Sequence, residues 1–196
     1  MKPQELFEFM KTLQVLKDST RHCWLPSGRR ESVAEHSWRL AVMAMLVGDE
    51  IEGIDTDKLI KICLIHDLGE AITGDIPTFE KTESDEDTER LLINRLFDGL
   101  PKDTGEKLKS LFDEYEDQCT PEGKLAKALD KVEAIDQHNY SDINTWLPLE
   151  YDLQLSYGEK ECNNFEYMKE LREIINKESV KKIEENKKDT DRYKLC

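Results

Sequence analysis

Thr56-Asp57-Lys58-Leu59-Ile60-Lys61-Ile62-Cys63-Leu64-Ile65-His66-Asp67 is the stretch on which the fold turns. Leu59, Ile60, Ile62, Cys63, Leu64 and Ile65 are apolar nearly all round a helix, which predicts a central, buried element rather than a surface one. Asp55 or Thr56 supplies the N-cap, and the run ends in an imidazole and a carboxylate. A carboxylate there must be paired or must hold a metal, because an unpaired buried charge costs several kcal/mol.

Outward from this helix, the pattern is helical almost everywhere. Leu6, Phe9, Met10, Leu13 and Leu16 recur at helical spacing after Pro3. Ser32-Val33-Ala34-Glu35 has capping-box form and opens a second helix to about Glu50. Ser84 to Phe97 and Glu106 to Tyr115 read as further helices. Thr120-Pro121 opens a long one to about His138, and a last one runs from Asn163 to about Glu185 into a solvated lysine- and glutamate-rich tail. No stretch alternates apolar and polar residues between turn signals, so 18–31, 73–83 and 141–160 are expected to be loops. The expectation is an all-α fold in a single globular unit: a body over 1–160, with 161–196 as a C-terminal helix and charged tail packed on it.

With 196 residues, 36% charged and 38% hydrophobic, the chain has one domain's worth of core. A net charge of −15 disfavours nucleic-acid binding, which depends on neutralising phosphates. The apolar run around Leu40 to Val47 falls far short of the ~20 residues that span a membrane, and the N-terminus lacks a secretory pattern. Cys23, Cys63, Cys119, Cys162 and Cys196 are scattered and odd in number, which points to a reducing, cytoplasmic setting and away from a thiolate zinc site.

Four polar positions stand where a core would not want them. His36 lies on the inward stripe of Leu40, Met43 and Val47. His66 and Asp67 end the central helix, and Asp130 lies between Ala126 and Ala134, a small-residue strip that admits a neighbouring helix. Two imidazoles and two carboxylates from three helices suit a divalent transition metal, and on an octahedral ion they leave two positions open. Glu70 falls one turn after His66 on a continuing helix, where it could orient water or accept its proton. Asp75 follows Gly74 in a turn that could aim it back at the site; a local backbone cap is the competing reading. Lys17, Arg21, Arg29 and Arg30 against Asp18 and Glu31 make the preceding loop locally basic, with Arg21 as a phosphate clamp and Trp24 as a flat wall against a sugar. Arg29 and Arg30 read more simply as solvated charges, and His138 as a structural or surface residue that could also reach the Asp130 face. Trp146 and Pro148 could serve a base pocket or a subunit contact. No phosphate-cradling glycine loop is present.

His36, then His66-Asp67, then Asp130, resembles the H…HD…D signature of HD-domain metal-dependent phosphohydrolases. The stretch from His66 through Glu70 and Gly74-Asp75-Ile76-Pro77 is similar to the segment of the 5′-deoxynucleotidases. The resemblance covers roughly 1–160 and implies an all-helical HD-domain bundle that removes phosphate from (deoxy)ribonucleoside 5′-monophosphates, with no nucleic-acid or membrane partner. It implies one divalent ion on His36, His66, Asp67 and Asp130 (manganese or cobalt, with magnesium, iron and zinc as alternatives). Glu70 and Asp75 would handle the water or the leaving oxygen, Arg21 and Trp24 the substrate, and the protein would be a homodimer. Trp24 is separated from Arg21 by His22-Cys23, unlike the adjacent pair of the bacterial enzymes, which loosens the link to deoxyribose. The absence of histidine between Asp67 and Asp130 favours a mononuclear centre. Two rivals stand beside this reading: an HD-type hydrolase of triphosphates or diesters, and a non-enzymatic binding protein in which the metal staples three helices.

Overall fold

The computed structural model describes residues 1–193. Its elements in chain order are helix α1 (Pro3–Leu13), strands β1 (Thr20–Trp24) and β2 (Arg30–Ser32), then helices α2 (Val33–Val47), α3 (Thr56–Ile65), α4 (Glu70–Thr73) and α5 (Glu83–Asp98). Helices α6 (Lys102–Asp117), α7 (Pro121–Tyr140), α8 (Glu150–Ser156), α9 (Glu159–Cys162) and α10 (Glu166–Tyr193) complete the chain. The helical bundle is as expected. The side chains of the charged tail beyond Asn186 lie outside the described residues.

Local chemistry starts the helices where the caps stand. Ser32 accepts from the Glu35 amide at 3.3 Å while the Glu35 carboxylate accepts from the Ser32 amide at 2.9 Å, a reciprocal capping box. Asp55 caps α3, and Thr120 caps α7 with Pro121 at the first helical position. Helix α3 packs against α2, α6 and α7 and buries Leu59, Ile62, Cys63 and Ile65. Its burial is not all-round, since Leu64 remains 47% exposed. Leu40, Leu125, Leu129, Ile93 and Phe97 close the core around it, each such side chain contributing about 1.5–3 kcal/mol when fully buried. Helices α6 and α7 cross so tightly that a methyl at Gly123 would lie 2.0 Å from the Glu114 carbonyl oxygen, which fixes α7 against the bundle. Helix α10 packs on α7, α8 and α9, joining the C-terminal segment to the same body.

The expected loop over 18–31 is instead an antiparallel hairpin, with Thr20 opposite Ser32 and Trp24 opposite Arg30 and an irregularity between them. Leu25 and Arg29 close its tip, where Gly28 takes φ +84°, a left-handed conformation open to glycine. The expected loop over 141–160 likewise contains α8, whose inward residues Glu150 and Gln154 are both buried and polar.

Candidate active site

Three parts of the bundle converge at one point. The capping box places His36 one turn into α2 and fully buried. His66 caps the C-terminus of α3, with its amide still bonded to the Ile62 carbonyl at 3.1 Å. Asp130 projects from the middle of α7. The helix does not continue from His66 to Glu70 as expected. Bonds from the Leu68 amide to Ile65 and from the Glu70 amide to Asp67, each 3.1 Å, tighten the chain into turns, and Glu70 begins the separate α4.

His36 Nε2 lies 3.3 Å from His66 Nε2, 3.1 Å from Asp130 Oδ1 and 3.7 Å from Asp67 Oδ2. His66 Nε2 lies 3.1 Å from Asp67 Oδ2 and 3.8 Å from Asp130 Oδ1. Adjacent ligands on an ion bound at about 2.1 Å stand about 3 Å apart, close to these separations. His36, His66 and Asp67 form the tightest group, and Asp130 reaches the same imidazoles from the α7 side.

The tautomers are fixed by what the other ring nitrogens meet. His66 Nδ1 is 2.9 Å from the Cys63 carbonyl oxygen, and His36 Nδ1 is 2.5 Å from Glu133 Oε2. A carbonyl or carboxylate oxygen can only accept, so each Nδ1 carries a proton and each Nε2 is the nitrogen that faces the centre. Two Nε2 atoms and two carboxylate oxygens thus face one another, an arrangement that calls for positive charge between them, a proton or a metal cation. The same demand shows in His36: burial and Arg21 oppose a charge on the ring, yet Glu133 and Asp130 carry its pKa up to about 10.

Supporting groups hold the donors. Glu133 receives Arg39 Nη1 at 3.0 Å on its other oxygen, and Arg39 also pairs with Asp136. Tyr115 donates to Asp130 Oδ2 at 2.7 Å. Burial opposes ionisation of Asp67, but His66, His36 and Arg21 hold it well below the usual carboxylate range. Sequence reasoning missed Glu133, Arg39 and Tyr115. The available signal was a glutamate three residues after Asp130, one turn along a helix whose neighbours are apolar. Glu31, buried beside Arg21 Nε at 3.4 Å, was counted as an ordinary loop charge. Glu31, Glu133 and His36 also cluster closely enough for a cation, but His36 Nδ1 is already spent on Glu133.

Arg21 Nη1 reaches Asp67 Oδ2 at 3.5 Å, bringing the guanidinium to the edge of the centre. Burial, then repulsion from Asp67 and Asp75, pushes the Glu70 carboxyl up to about 10, and its Oε2 has no hydrogen-bond partner among the described residues. Arg21 and Asp75 line an open cavity whose walls include Phe79, Ile135, Leu153 and Tyr157. Trp24 is not among the residues that line this cavity; its ring lies under Arg30 at 5.5 Å and its carbonyl accepts from Gln137. Arg21, His22 and Cys23 in succession line this cavity, the strand being irregular between Thr20 and Trp24. Arg29 pairs with Glu35 on the surface. Trp146 is buried, donating to Ser141 Oγ at 2.9 Å and packing on His138 and Tyr151, so it serves the interior.

A family model described as the HD domain matches residues 13–172. The chain is 33% identical over 145 residues to human 5′-deoxynucleotidase HDDC2, covering 71% of this chain and 70% of that one. It is 30% identical over 178 residues to the Schizosaccharomyces pombe 5′-deoxynucleotidase hdd1, covering 87% and 83%. A solved structure from Magnetospirillum magnetotacticum, described as a predicted metal-dependent phosphohydrolase, superposes with a TM-score of 0.78 at 27% identity over 91% of this chain and 93% of that one. The chain belongs to the HD-domain family.

Proposed function

We propose that this HD-domain protein is a metal-dependent phosphomonoesterase that converts (deoxy)ribonucleoside 5′-monophosphates to nucleoside and phosphate. The observation that carries the reading is the convergence of two imidazole Nε2 atoms and two carboxylates beside a cavity lined by Arg21 and Asp75. Similarity to relatives named 5′-deoxynucleotidases puts deoxy substrates first.

His36, His66, Asp67 and Asp130 are proposed to hold the ion, manganese or cobalt, with magnesium, iron and zinc accepted by the same donors. When bound, a divalent ion supplies Lewis acidity that eases the deprotonation of water near neutral pH. The chain's own groups do the rest. Arg21 neutralises phosphate charge as the transition state develops. Glu70, buried and with a carboxyl oxygen that has no partner among the described residues, orients the attacking water; a cation on the neighbouring donors would offset the Asp67 repulsion that keeps this carboxyl protonated and leave it ionised to take the proton. Asp75, on the cavity wall, hands a proton to the departing 5′ oxygen.

Phosphate release from dAMP, dCMP, dTMP and AMP with manganese, cobalt or magnesium tests the reading. Turnover of at least one nucleotide with at least one metal is expected; inertness of all of them overturns it. A homodimer is proposed as well, supported by α1, which buries no residue and exposes Leu6, Phe7 and Met10, and light scattering at micromolar concentration would check it. Among the described residues no helix is long and apolar enough to cross a membrane. The free cysteines Cys23, Cys63, Cys119 and Cys162 support a reducing, cytoplasmic setting.

A further inference from the structure

Asp130 divides its two carboxylate oxygens between different tasks. Oδ1 faces the imidazoles, 3.1 Å from His36 Nε2 and 3.8 Å from His66 Nε2. Oδ2 accepts the hydroxyl of Tyr115, on α6, at 2.7 Å. A carboxylate oxygen can only accept, so the phenol is the donor. The ring that carries this hydroxyl is held from two sides. It stands edge-on to His66, with ring centroids 5.0 Å apart, and the Lys127 ammonium lies 3.9 Å over its face. Lys127 precedes Asp130 by three residues on α7, so the helix that carries the carboxylate also grips the ring that restrains it. Tyr115 is itself buried in the core.

A carboxylate can offer a cation one oxygen or both. Turning Oδ2 toward the centre would break the bond from Tyr115 and strand a buried hydroxyl, which weighs against that second attachment by about tenfold or more in affinity. Ions differ in what they ask of such a group. Manganese, cobalt and magnesium favour octahedral sites of about six donors, which single carboxylate oxygens satisfy. Calcium takes about six to eight oxygens at longer distances and commonly draws on both oxygens of a carboxylate. The two imidazoles already disfavour calcium by donor type; the phenol acts separately, on the number of oxygens available.

We propose that Tyr115 is a positioning residue that holds Asp130 to a single inward oxygen and thereby sets the centre against calcium and toward smaller, six-coordinate divalent ions. The inference rests on the reading of His36, His66, Asp67 and Asp130 as metal donors, and goes on to say how the site discriminates among ions. The test measures Kd for manganese and for calcium by equilibrium dialysis, in the wild type and in Tyr115→Phe. Phenylalanine keeps the ring for His66 and Lys127 and lacks only the hydroxyl. The ratio of the calcium Kd to the manganese Kd is expected to fall at least about fivefold in the variant, and a smaller change overturns the inference. A merely structural role would weaken both ions alike and leave the ratio where it was. If the variant does not fold, a crystal structure of the manganese-loaded wild type decides. Oδ1 alone bonded to the ion, with Oδ2 still on Tyr115, upholds the proposal; both oxygens bonded to the ion overturn it. Failure of the underlying metal reading looks different, because the wild type then binds neither ion, and the proposal falls with it.

Discussion

The four histidines of the chain form two pairs, and each pair converges on carboxylate, yet the two pairs differ in how many carboxylates they meet. At His36 and His66 the scaffold has used the Nδ1 protons, on Glu133 and on the Cys63 carbonyl, and turns the Nε2 atoms inward to Asp67 and Asp130. At His22 and His138 both Nε2 atoms face one carboxylate oxygen, Glu150 Oε1, at 3.1 Å and 3.2 Å. Residue type alone therefore does not make a metal site. How many carboxylates and imidazoles the fold turns toward one point decides whether a pair of histidines offers a cation its donors.

The most severe way to break this contrast is to delete a donor. His66→Ala or Asp67→Ala is expected to reduce activity to background and to remove bound metal together, read by phosphate release and elemental analysis; full turnover in either variant would dissolve the difference between the pairs. Glu70→Ala should keep its metal and lose about 10²–10⁴-fold in kcat, which separates proton handling from ion holding. Glu133→Gln tests the committed nitrogen directly. Weaker support of the His36 tautomer should lower metal affinity about 10–100-fold, measured by competition with a chelator, whereas His138→Ala should leave that affinity within about twofold. The smallest effect belongs to the helix start between the two pairs. Hydrogen bonding to Arg29 holds the Glu35 carboxyl down to about 2 from its ordinary 4.5, with Ser32 assisting against modest burial. A depressed carboxylate stabilises the fold fully above the unfolded value and loses that contribution as pH falls from 4.5 toward 2. Acid unfolding of Glu35→Gln should show a shallower slope in that window, with metal content at neutral pH unaltered.

Much of the centre is legible in the chain because strong local signals mark it. The capping box sets the phase of α2 and so turns His36 inward. The apolar run of α3 delivers His66 and Asp67, and the small residues around Asp130 let α7 approach. The hairpin is not legible for a physical reason: β1 has no clean alternation, since Arg21, His22 and Trp24 are all half-buried and Cys23 is buried, leaving no polar face. Helix α8 is hidden in the same way, because Glu150 and Gln154 occupy the buried face where apolar residues would have shown the period. The supporting Glu133 is obscured by its own helix, where a glutamate is an ordinary surface residue until its neighbours are known. The trio of His22, His138 and Glu150 joins β1, the end of α7 and the start of α8, and no spacing in the chain announces contacts of that range.

Strand β2 runs without a break into the cap of α2, and the Val33 amide donates to the Ser19 carbonyl at 3.0 Å, so the ribbon bearing Arg21 is bolted to the helix bearing His36. A guanidinium mounted this way is aimed before any anion arrives. Capture would then require no swinging arm, and the orientational entropy of the encounter is settled during folding rather than in each catalytic cycle.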